Sequence, residues 1–274
     1  MDGIAPIMNL ATAACENLAE VSNIVTDGLT AFGMTAGEAE RFTDVLAAAA
    51  TNANTNIHMM GESLKYAGTV AGAMGYNIED ISVALGLMGN STVKSGQAGT
   101  YLRGIITGLL SSSTEEAAAL MEEYQISLQD SEGNAKSFAE IMINLRQAFS
   151  GINQQEKTIN AELLVGQRAM TGLFAIVNVS DEDFNKMTAA IADSSDACGK
   201  LAIKMDDTLV GKFEILKSGI SAVKNTIGGE LAPTMYGLIE KSQSVVNAIQ
   251  SMIDAFIAAK NQGNALDGIA AAIQ

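Results

Sequence analysis

The run Gly68-Thr69-Val70-Ala71-Gly72-Ala73-Met74-Gly75-Tyr76-Asn77-Ile78-Glu79-Asp80 carries the pattern on which the whole chain is built. Gly68 and Gly72 are four residues apart and share one helical face, where the missing side chains let a neighbouring backbone come close. Gly75 stands where a helix end needs a residue of positive φ. Asn77 then offers a side-chain oxygen to the unpaired N–H groups of a new first turn, with Asp80 three residues on. The unit is a helix, a glycine stop and a capped restart.

Reading outward, the unit recurs. Thr35-Ala36-Gly37-Glu38 opens a helix through Ala50, and Asn77 opens one through Met88. Ser113-Thr114-Glu115-Glu116 starts a helix to about Tyr124, Ser137-Phe138-Ala139-Glu140 another to Phe149, and Ser180-Asp181-Glu182-Asp183 a much longer one. Between them, helices are predicted at about 5–32, 54–74, 95–111 and 154–178, with positions 33, 75, 89, 133 and 151 near helix ends. Gly104 and Gly108 repeat the four-residue spacing and mark a second close crossing. Gln125 to Leu128 is the one strand-like stretch, and it reads as part of a turn.

Composition agrees with helix. Hydrophobic residues make up 48% of 274, enough for a sizeable core, while 2 prolines and 5% aromatics leave few turn-makers and strand formers. Sixteen basic against 31 acidic residues give a net charge of −15, which repels phosphate backbones and anionic membranes. Direct nucleic-acid binding is therefore a poor reading. The longest uncharged stretch, Val45 to Gly61, is too short and too rich in Asn and Thr to span a membrane. The start, Met1-Asp2-Gly3-Ile4-Ala5-Pro6, lacks the basic region of a signal peptide. Cys15 and Cys198, far apart, read as two thiols in a reducing compartment.

After Ser180 the pattern shifts. Leu209, Phe213, Leu216, Ile220, Val223 and Ile227 form an apolar stripe with a seven-residue repeat, broken by Gly228-Gly229. Beyond Pro233, which suits a first helical turn, it resumes with Met235, Leu238, Val245, Ile249, Met252 and Phe256. Folding back at Gly228 and pairing with other chains both satisfy this stripe. The expected fold is all-α: a compact multi-helix bundle over 1–178, then longer coiled-coil-like helices over 179–274 with a hinge near 228–233.

No catalytic, cofactor or metal site stands out. His58, the one histidine, has no Cys or His at ligand spacing, and no G-x-S-x-G elbow exists for a triad. The run Gly89 to Ser95 lacks the glycine that a phosphate loop needs before its lysine, since Val93 precedes Lys94. Asp130-Ser131-Glu132-Gly133-Asn134 lacks the alternating ligands and closing glutamate of a calcium loop and reads as a solvated turn. The acid pairs Glu79/Asp80, Glu115/Glu116 and Asp181/Asp183 sit in first turns, where the helix dipole favours them.

Asn52 to Arg103 resembles the conserved core of phage tail tape measure proteins. The resemblance rests on Asn52-Ala53-Asn54-Thr55-Asn56 with Met60-Gly61-Glu62-Ser63-Leu64-Lys65-Tyr66-Ala67, and on Ala71 to Asp80. Leu85-Gly86-Leu87-Met88-Gly89-Asn90 and Lys94-Ser95-Gly96-Gln97-Ala98-Gly99-Thr100-Tyr101-Leu102-Arg103 complete it, the last seven being the most specific string. Asp27 to Ala36, Leu128 to Asn134 and Leu164-Val165-Gly166-Gln167-Arg168-Ala169 add weaker matches. The residues that carry the family motif are Gly72, Gly75, Gly86, Gly96, Ala98, Gly99, Thr100, Leu102, Arg103 and Gly166. Ser91-Thr92-Val93 and Tyr101 depart from it.

The resemblance implies a helical core over 1–178 in a non-enzymatic protein that lies in the tail lumen. Such a protein sets the length of the tail tube and leaves ahead of the DNA on ejection. It further implies a tail tube protein and tail assembly chaperones as partners, and assembly in the host cytoplasm. Family members are much longer, so the chain is expected to be a fragment or a truncated prophage frame. As one helix, 274 residues would span about 410 Å. The rival expectation is a soluble helical interaction protein or pore former.

Overall fold

A computed structural model describes residues 3–111 and 114–207, together with positions 247, 250, 251 and 254. The two heptad stripes and the 228–233 hinge lie outside the described residues. Helices α1 (Ile4–Ala14), α2 (Leu18–Ala31), α3 (Ala39–Asn52), α4 (Ile57–Ala73) and α5 (Ile78–Asn90) come first. They are followed by α6 (Ser95–Leu110), α7 (Glu115–Glu123), α8 (Phe138–Ala148), α9 (Gln154–Val177), α10 (Asp181–Ala192) and α11 (Ala197–Asp206). A 3-10 turn, Ala36–Glu38, leads into α3. No strand occurs among the described residues, and the all-α expectation holds. An isolated β-bridge, Gln129 to Ala135, closes the turn read at Asp130 to Asn134.

The local signals act as expected. Thr35 with Glu38 and Ser137 with Glu140 form complete capping boxes. Asn77 accepts from the Asp80 N–H at 2.7 Å, and Ser180 from the Asp183 N–H at 3.1 Å. Gly33, Gly75, Gly133 and Gly151 adopt positive φ. Gly89 does not: it sits inside α5, and Thr92 takes the left-handed position instead.

Three expected helices are divided. The helix read over 5–32 breaks at Cys15, in the left-handed conformation, and restarts where the Asn17 side chain accepts from the Ala19 N–H at 2.8 Å. The long helix expected after Ser180 ends at Ala192, and α11 follows as a separate helix. The helix over 154–178 is interrupted at Gly166, whose φ 75°, ψ 159° is open in practice only to glycine.

One compact unit comprises Met1–Met205. At its centre lies α5, buried on every side from Ile81 to Gly89, as expected of a helix apolar all round. It packs against α3, α6, α9 and α10. A second set, α2, α4, α6 and α9, stacks in that order. Phe184, Met187 and Ile191 of α10 and Cys198 and Ala202 of α11 complete the core, so these two helices belong to the same unit.

Long-range polar contacts fasten the pieces. Arg41 binds Glu79 through two bonds of 2.6 and 2.8 Å, tying α3 to α5. Arg146, with a side chain only 10% exposed, donates to the Ile176 carbonyl at 2.9 Å and to Asp181 at 2.6 Å, and lies 4.6 Å over the Phe184 ring. It joins α8 to the end of α9 and the start of α10. Arg146→Ala should cost about 2–3 kcal/mol, since it leaves a carbonyl unmet and removes a cation–π contact. Asp181→Ala should cost under about 1 kcal/mol, because that side chain is 95% exposed. Urea unfolding of both variants checks the difference.

Candidate functional site

Five of the motif residues, Gly96, Ala98, Gly99, Thr100 and Leu102, lie on α6, which crosses α4 through glycine. At the α4–α6 crossing a methyl group on Gly99 would overlap the Ser63 carbonyl oxygen and lie 2.8 Å from its carbon and 2.9 Å from its Cα. On Gly96 it would meet the Tyr66 ring at 2.9 Å. The buried Ser63 hydroxyl donates to the Ser95 carbonyl at 2.7 Å, holding the start of α6, where Ser95 has φ +56°. Ala98 and Leu102 are buried. The Thr100 hydroxyl donates to the Gly96 carbonyl at 2.7 Å. Gln97 and Arg103 are the exposed members of this string.

The neighbouring crossings repeat the device. A methyl on Gly72 would overlap the Ala31 carbonyl at the end of α2. Gly104 is seated against the Ala169 methyl, which a Cβ would meet at 2.8 Å, and Gly108 against the Val165 Cα at 2.7 Å and the Leu164 oxygen at 2.8 Å. Gly108 thus rests on the backbone just before the Gly166 break in α9. Gly86 faces Met187 of α10, with Sδ at 3.0 Å from a Cβ position. Gly75 ends α4 with φ +75° and open space around it, so its role is conformational.

The acids read as caps are held as structural groups. Glu79 pairs with Arg41. Asp80 accepts from the Ala139 N–H at 3.0 Å, linking the starts of α5 and α8, and burial raises its carboxyl above the ordinary range. Asp130 accepts from Asn134 and from the Glu132 N–H, bonds that hold its carboxyl below that range.

Three features escaped the sequence reading. Ser63 is the surface on which Gly99 rests, and nothing in its spacing announces this. Asp44, buried in α3, caps α11 from 152 residues away, accepting from the Asp196 N–H at 2.8 Å and the Cys198 N–H at 3.0 Å. His58, set apart in the sequence, has Glu16 and Glu20 beside it.

The match to known proteins spans this whole arrangement. The family model for phage-related minor tail proteins covers residues 1–166, which includes every motif position from Gly72 to Gly166. This chain belongs to that family. Its place is thus among the structural components of a phage tail. A tape measure protein of Pneumococcus phage Dp-1 is 30% identical over 257 residues, covering 94% of this chain. The tail protein described here spans 22% of that relative's length. No solved structure matches it.

Proposed function

We propose that this chain works as part of a tail tape measure: it sets the length of the tail tube during assembly and is expelled ahead of the DNA. The observation that carries the reading is the 30% identity to a tape measure protein, running through bundle and C-terminal segment alike. In this reading the protein resides in the tail lumen of the virion after assembly in the host cytoplasm. It meets the tail tube protein and assembly chaperones, and has no catalytic role. The motif residues of the bundle serve its packing. The C-terminal segment, with its stripes from Leu209 to Ile227 and Met235 to Phe256, serves as a coiled-coil-like, self-associating part hinged near 228–233.

The reading is tested in the phage that carries the gene. Deleting 28 residues in frame within the stripe-bearing segment should shorten tails by about 42 Å, at 1.5 Å per helical residue. Electron microscopy of virions measures this, and tails of unchanged length would defeat the proposal. Among the described residues no single helix is long and apolar enough to cross a membrane.

A further inference from the structure

Glu16 lies in the turn between α1 and α2, Glu20 in the first turn of α2, and His58 in the first turn of α4. One donor atom from each lies within 4.8 Å of the other two. The helix starts around them are capped by other groups, since Asn17 accepts from the Ala19 N–H and Asn56 from the Met59 N–H. Capping therefore does not account for the cluster.

We propose that Glu16, Glu20 and His58 form a binding site for a divalent transition-metal ion of the zinc type. The Glu16 Oε2 atom is buried and has no hydrogen-bond partner, a state shared among the described residues only with the Ser82 hydroxyl. Its neighbour is His58 Nδ1 at 3.7 Å, too far for a hydrogen bond. That separation is close to the one that two donors keep on a shared ion: at bond lengths of about 2.0–2.2 Å, tetrahedral ligands lie about 3.3–3.6 Å apart.

An imidazole with two carboxylates suits zinc, cobalt or nickel over magnesium or calcium, which prefer all-oxygen sets. Glu20 and His58 are exposed, so small rotations bring the three donors, all within 4.8 Å of one another, to bonding positions. Water fills the fourth position. The bound ion neutralises the two facing carboxylates and ties the α1–α2 turn to the start of α4.

Isothermal titration of the full chain with zinc chloride at pH 7.5, in a buffer that does not chelate, tests the site. One equivalent of zinc should bind. His58→Gln and Glu16→Gln should each weaken binding at least tenfold, while Cys15→Ser, one residue from the site, leaves it unchanged. Circular dichroism of each variant confirms that the fold is kept, which a half-exposed His58 side chain permits. Absence of binding, equal zinc uptake by His58→Gln, or loss of binding in Cys15→Ser would each overturn the proposal.

Discussion

Gly99→Ala is expected to destabilise the helical unit by about 3 kcal/mol, lowering its melting temperature by about 6–12 °C. Helix propensity alone gives the opposite sign, since alanine is favoured over glycine inside a helix by about 1 kcal/mol. The contact decides the outcome. The added methyl meets the Ser63 backbone, and backbone within a packed helix has no rotamer in which to retreat. Gly72→Ala should behave likewise against Ala31. Gly37→Ala is the control: the nearest atom to a Cβ there is Thr35 Oγ1 at 3.7 Å, and the change should stay within about 0.5 kcal/mol. Thermal unfolding of the three variants separates the cases. An unchanged or higher melting temperature for Gly99→Ala would remove the close-crossing account.

The second large effect is expected at Asp44. Asp44→Ala takes the acceptor from two N–H groups at the start of α11 and should cost about 3 kcal/mol. It should also free that helix before the rest of the unit unfolds. Cys198 reports the event. The residue is 3% exposed, and burial pushes the thiol pKa up to about 12, so little reactive thiolate exists at pH 8. A thiol-reactive disulfide probe should label Cys198 at least tenfold faster in Asp44→Ala than in the unaltered chain. Equal rates would show that α11 is held by its apolar contacts alone.

What the sequence made legible follows the reach of each interaction. Caps and glycine stops act within four residues, so Thr35, Asn77, Ser137 and Ser180 announce their helices. The α1–α2 break was within that reach as well: Asn17 precedes Glu20 by the same three residues as the other caps. The continuous apolar pattern on either side masked it. Gly166 is hidden for a similar reason, because helical periodicity survives a one-residue interruption. Glycines four apart show that something comes close, and only the fold shows that it is Ala31 for Gly72 and Val165 for Gly108. Asp44, Arg146 and the Glu16–Glu20–His58 cluster join residues from separate helices. No local spacing encodes such contacts.

The glycines also set the thickness of the helical unit over Met1–Met205. Helix axes that meet through side chains of ordinary size stand about 10 Å apart, and those that meet through glycine about 8 Å. Across the three interfaces of the α2–α4–α6–α9 stack, the saving amounts to about 6 Å, comparable to a layer of side chains. On the tape-measure reading proposed above, the unit occupies a bore and must keep within a cross-section as well as hold its fold. Each of these glycines makes the stack slimmer without shortening the chain, and any larger residue at Gly72, Gly99 or Gly108 would thicken it.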